Sequence, residues 1–219
     1  MCSNLINNQK IHRYGLALKN VMKKPEISAA MHRLGYNNEK MAEGLALLES
    51  TAQCFDTYDL HEKNKQDALH KFENTSDLMM SIYQIHCKKI KAIALQNSTV
   101  VTPLEFATIL PNNYAKWIRK IKTFYFVIST DPLIKNHLWL YNTGEADLEE
   151  VERIIFRVEN AQENYCYALK EEQKLADKKN KAFLKLNQWM HQFSTTAQRG
   201  LAEQPALLEL FFESFQQKK

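Results

Sequence analysis

Over residues 145–199 the apolar positions return every three or four residues, and the phase never slips. Val151, Ile155, Val158, Gln162, Tyr165, Leu169, Glu172, Ala176, Lys179, Phe183, Leu186, Met190, Phe193 and Ala197 form the stripe. Eleven of these fourteen are apolar. Alternating steps of three and four keep side chains on one face of an α-helix. A stripe this narrow, held this long, reads as the seam of a coiled-coil-like packing. The same stepping runs through Met41, Leu45, Leu48, Ala52 and Phe55 and resumes at Met80, Tyr83, Cys87, Ile90 and Ala94. A polar stretch, 56–67, lies between, relieved by Tyr58 and Leu60. The pattern predicts long helices over 38–96 and 145–199, the second spanning roughly 80 Å at ~1.5 Å per residue. The competing reading folds each into a hairpin, with turns at Asn74-Thr75-Ser76-Asp77 and Asp177-Lys178-Lys179-Asn180. Neither stretch holds Gly or Pro, and the unbroken phase favours continuity.

Shorter helices flank both. Ile11, Leu16, Leu18, Val21 and Met22 predict a helix over 8–23, and Pro25 suits the first position of the next, which Gly35 ends. Asn97-Ser98-Thr99 and Pro103 break the first long segment, 104–110 is one helical turn or two, and Pro111-Asn112-Asn113 is a boundary. Trp117, Ile118, Ile121, Phe124, Tyr125 and Ile128 predict a helix over 114–129. Thr130-Asp131-Pro132 is a helix start, and the short helix after it ends at Asn142-Thr143-Gly144.

The punctuation repeats. Pro25-Glu26-Ile27 is answered 107 residues later by Pro132-Leu133-Ile134. At that offset few residues are identical (Tyr58 and Tyr165, Lys63 and Lys170 are two such pairs), so the order of breaks carries the comparison. It suggests an internal duplication with repeats over 8–106 and 113–215 inside a single helical domain, 1–219.

Five glycines and five prolines in 219 residues leave too few turn signals for a many-stranded sheet. The net charge of +4 divides evenly, +2 on each side of Ile109, and offers no basic domain for nucleic acid. Cys2, Cys54, Cys87 and Cys166 lack metal or redox spacing and suit a reducing cytoplasm. No apolar run reaches the ~20 residues of a membrane span.

Motifs for chemistry are missing. A di-iron bundle needs Glu-x-x-His on two helices; Asp67-x-x-His70 is the nearest approach. No two of the seven histidines are spaced i, i+4 for zinc. Phosphate-binding and nucleophile-elbow loops are absent. No catalytic, cofactor-binding or metal residue is singled out, and no cofactor is expected. Glu62 and Glu172 sit on the seams, where polar residues more often set register than catalyse.

One local anomaly stands out. Lys116, Arg119, Lys120 and Lys122 surround Trp117 in a helix free of acids, a candidate interaction surface for a membrane or nucleic acid. The plainer reading is a core helix with a solvated basic face, offset by the acids at Glu145, Asp147, Glu149, Glu150, Glu152, Glu159 and Glu163.

Leu34-Gly35-Tyr36-x-x-Glu39-x-x-x-x-Gly44, Trp189-x-x-x-Phe193 and Gln204-Pro205-Ala206-Leu207-Leu208-Glu209 resemble segments of uncharacterised bacterial helical-bundle proteins. The resemblance implies a duplicated helical bundle and no activity; the chain departs from it at Val151, which aligns with Gly44. The expectation is therefore an all-α bundle of two long, antiparallel, coiled-coil-like helices with shorter flanking helices. Its expected role is non-enzymatic, a protein-interaction or scaffold function with a protein partner or a homodimer, in the cytoplasm. The alternatives are peripheral membrane-surface or nucleic-acid binding through helix 114–128, and an apolar ligand held in a cavity lined by Tyr58 and Tyr165.

Overall fold

The computed structural model describes residues 2–96, 113–213 and 215. The chain is all-α. Among the described residues are α1 (Cys2–Lys23), α2 (Pro25–Arg33), α3 (Asn38–Gln96), α4 (Tyr114–Thr130), α5 (Pro132–Leu140), α6 (Glu145–Gly200) and α7 (Pro205–Glu213). Both long segments are single helices, and both stretches proposed as turns, 74–77 and 177–180, are helical. The first of them keeps its ladder although its side chains favour turns: Thr75 Oγ1 donates to the carbonyls of Lys71 and Phe72 instead of competing with the backbone. Helix α1 begins at Cys2, ahead of the expected Asn8, since no proline or glycine stands in its way. The expected break at 97–99, the turns at 104–110 and the Pro103 and Pro111 boundaries lie outside the described residues.

The chain divides into two compact units, and each draws on both halves of the sequence. Unit 1 joins Met1–Lys63 to Lys170–Lys219. Its core sets Ala17, Leu18 and Val21 of α1 and Ile27, Ala30 and Met31 of α2 against Leu186, Trp189, Met190, Phe193 and Ala197 of α6, with Phe211 of α7. Within it α3 and α6 run antiparallel. Gly44 meets Trp189, Thr51 Oγ1 lies 3.3 Å from the Ala182 carbonyl, and Tyr58 donates to Glu172 at 2.8 Å.

Unit 2 is the continuous stretch Asn64–Leu169. Trp117, Ile118, Ile121, Phe124, Tyr125 and Ile128 of α4 pack with Ile134 and Leu138 of α5. Met79, Tyr83, Ile90 and Ile93 of α3 and Val151, Ile154, Ile155 and Val158 of α6 complete the core. Here too α3 and α6 form an antiparallel pair, with Phe72 stacked on Tyr165.

The predicted α6 stripe is buried or half-buried at all fourteen positions. Helix ends recur at the 107-residue offset: Lys23 and Thr130, Pro25 and Pro132, Arg33 and Leu140, Asn38 and Glu145. The C-termini of α2 and α5 close identically. Gly35 (φ 91°) and Asn142 (φ 53°) take the left-handed position, and the next amides, Tyr36 and Thr143, return to the carbonyls of Met31 and Leu138. These are the bonds of a Schellman cap, which glycine and asparagine accommodate best. The cuts between the units, after Lys63 and after Leu169, fall within one residue of the same offset.

Candidate interaction surface

Helix α4 starts where expected because the Asn113 side chain accepts the Lys116 backbone N–H at 3.2 Å. Its apolar side is the one read from the sequence, and the candidate residues therefore separate. Trp117 is only 7% exposed and belongs to the core of unit 2, which corrects its place in the candidate surface. Lys116 and Arg119 are exposed and Lys120 is half-buried. Lys122 pairs with Glu159 of α6 at 2.6 Å, the partnership the acidic start of α6 suggested. Its two side chains are 50% and 38% exposed, so the pair contributes little stability, on the order of 0–1 kcal/mol. Its effect here is to occupy one of the four cations.

The outward apolar residues of unit 2 are others. Phe126 of α4 is 68% exposed and Trp139 of α5 72% exposed. Leu133 and Leu140 of α5, Phe156 of α6, and Leu78 and Ile85 of α3 are exposed as well. Leu133 and Leu140, seven residues apart, stand nearly in line along α5, with Trp139 on its flank. Phe126 and Phe156 line one groove of about 290 Å³, together with Lys122 and Glu159.

The 107-residue offset gives these positions a reference inside the same chain. Phe126 corresponds to Lys19, Leu133 to Glu26, Trp139 to His32, Leu140 to Arg33 and Phe156 to Glu49; Leu78 and Ile85 correspond to Lys185 and Gln192. At these seven positions unit 2 shows a large apolar side chain to solvent and unit 1 carries a charged or polar one, whereas exposed Tyr167 of unit 2 is matched by an exposed Leu60 in unit 1. Periodicity hides this, because a helix reading assigns every outward position to solvent. Only the comparison of the halves exposes it.

Two polar clusters lie inside the units. In unit 1 the Lys179 ammonium sits 3.4 Å from the Tyr58 ring centroid and 5.3 Å from that of Phe55. Burial lowers the Lys179 pKa, and Asp59, Glu62 and Glu172 oppose that shift. Burial and the bond to Glu172 push the Tyr58 phenol well up. Glu172, anticipated on the seam, thus anchors a polar layer. In unit 2, His86 Nδ1 and the Tyr125 hydroxyl lie 2.9 Å apart. Burial lowers the His86 pKa, Lys89 adds to this, and Asp147 opposes it. Burial pushes the neighbouring Cys87 thiol up, away from the thiolate a nucleophile needs. Among the described residues no three His, Cys, Asp or Glu side chains gather as metal ligands would. No described helix is long and apolar enough to cross a membrane. Tyr58 and Tyr165 lie in different units, each with its own partners. Comparison with protein-family models, curated proteins and solved structures finds no match.

Proposed function

We propose that the chain is a non-catalytic interaction protein whose contact surface is the apolar exterior of unit 2, and that the first partner is a second copy of itself. A single observation carries this reading: at matched positions unit 2 exposes Phe126, Leu133, Trp139, Leu140 and Phe156, whereas unit 1 exposes Lys19, Glu26, His32, Arg33 and Glu49. Covering exposed apolar groups removes them from water and is favourable, and clusters of them mark association sites. Aromatic residues are enriched at interfaces, and tryptophan is prominent among the side chains that dominate binding energy. Binding through the basic residues of helix 114–128 is less well supported, because Trp117 is buried and Lys122 is paired.

The matched helix ends and caps further support descent from a duplicated half, with unit 2 the specialised copy. The free thiols of Cys54, Cys87 and Cys166 fit the reducing cytoplasm that we propose as its setting.

The test borrows residues from unit 1. Leu133→Glu, Trp139→His and Leu140→Arg place in α5 the side chains that α2 carries at the same sites. Sedimentation velocity across a concentration series should show self-association of the unmodified chain and a monomer for the triple variant, with unchanged helical circular dichroism. An unmodified chain that stays monomeric throughout overturns the self-association reading.

A further inference from the structure

A separate cavity of about 540 Å³ opens on unit 2 between α3 and the start of α4. This size is typical of sites for small organic molecules. Three rings line it: Phe72, Tyr114 and Trp117. Phe72 and Tyr114 meet nearly at right angles, their planes 72° apart and centroids 5.6 Å apart, as two walls of a box. Trp117 continues the Tyr114 wall at 6.0 Å, and Tyr165 backs Phe72 with its ring parallel. The polar lining is acidic. Glu73 and Asp77 are present, and no basic side chain lines the cavity among the described residues. Among the described residues the ion partner of Glu73 is an exposed His70 at 3.5 Å. Asp77 has no ion pair among the described residues. Ser76 Oγ, on the same wall, is buried without a hydrogen-bond partner, whereas the neighbouring hydroxyls of Thr75 and Ser81 return to backbone carbonyls. A buried hydroxyl left unbonded is uncommon.

We propose that this cavity binds an organic ammonium head bearing N-alkyl groups. Ring faces attract a cation through their quadrupole, and box-like sets of rings suit alkylated ammonium groups, which shed water more readily than a bare –NH3⁺. The two carboxylates supply the long-range field, and Ser76 and Asn74 offer hydrogen bonds to a polar tail. An acid pair alone would equally suit a metal ion, but apolar walls give a metal no ligands. Unit 1 provides an internal precedent. The counterpart of Phe72 is Lys179 and that of Tyr165 is Tyr58. There a covalently supplied ammonium rests on the ring, amid Asp59, Glu62 and Glu172. In unit 2 the lysine is replaced by Phe72, and the cation must come from outside.

The test compares choline with 3,3-dimethyl-1-butanol, its neutral isostere, by calorimetric titration of the full chain. A peptide carrying trimethyl-lysine forms a second arm. Saturable choline binding, at least about tenfold tighter than the isostere, is expected. Glu73→Gln with Asp77→Asn, both at exposed positions, should weaken it several-fold while circular dichroism is unchanged. Tighter binding of the peptide than of choline supports the same chemistry and assigns the source to a modified protein. No saturable binding of either cation, equal binding of choline and the isostere, or binding untouched by the double variant overturns the proposal.

Discussion

A Cβ built on Gly44 would lie 2.5 Å from Cη2 of Trp189, far inside van der Waals contact. Glycine here is a requirement of close approach, since no turn is needed in mid-helix. Gly44→Ala gains up to about 1 kcal/mol of helix propensity but overpacks a buried indole, which costs roughly 1–3 kcal/mol. Urea denaturation should show a net loss, and Trp189→Phe on the same background should recover part of it. In the sequence Gly44 reads as a lone interruption of a helix; its partner is distant along the chain and cannot be inferred from spacing. His86 is a second case. The sequence pattern puts its neighbour Cys87 on the seam; the burial of His86 and its bond to Tyr125 are not legible, because that pairing depends on how α4 lies on α3. With its folded-state pKa lowered by burial, the unfolded chain binds the extra proton first. The His86 contribution is thus intact above the ordinary histidine value of about 6.5 and declines as pH falls from there towards the folded value. Denaturation midpoints should drop between about pH 7 and pH 5, and His86→Phe should flatten that part of the profile.

At the scale of elements, continuity of α6 through 177–180 decides how its stripe is used. The alternative hairpin would tolerate a proline at Lys178, an exposed position, at little cost. In a continuous helix Lys178→Pro removes a backbone bond and forces a kink, costing about 3 kcal/mol or more. Thermal unfolding followed at 222 nm separates the two outcomes. Helices α1 to α6, most of their boundaries and the α6 face were legible because each rests on local rules of period, capping and proline placement, whereas α7 was not anticipated. The candidate site was legible only in part. The sequence placed Trp117 and Ile121 on one side and Lys116 and Arg119 on the other. It could not tell that Trp117 packs into the core of unit 2, nor that Phe126, one step off that side, remains outside. Lys179 shows the converse: a cation on the apolar stripe is retained because Tyr58 offers it a ring.

At the scale of the whole molecule, the two units share a plan and differ in their exteriors. That difference is why the α5 triple variant is expected to abolish association without unfolding: every introduced side chain already stands at the matching site of unit 1. The unequal wiring of the units also has a consequence for how the molecule is made. Unit 2 is one uninterrupted stretch, 64–169, and has its whole core available once that stretch has been synthesised. Unit 1 includes α1 and α2, which precede unit 2, yet Leu18, Ile27 and Met31 await Leu186, Trp189 and Phe193. At roughly 5–20 residues per second, α1 and α2 stand without their core for many seconds. Helices α1 and α2 are therefore translated before unit 2 yet enclosed after it, and they are the surface a nascent-chain chaperone would meet.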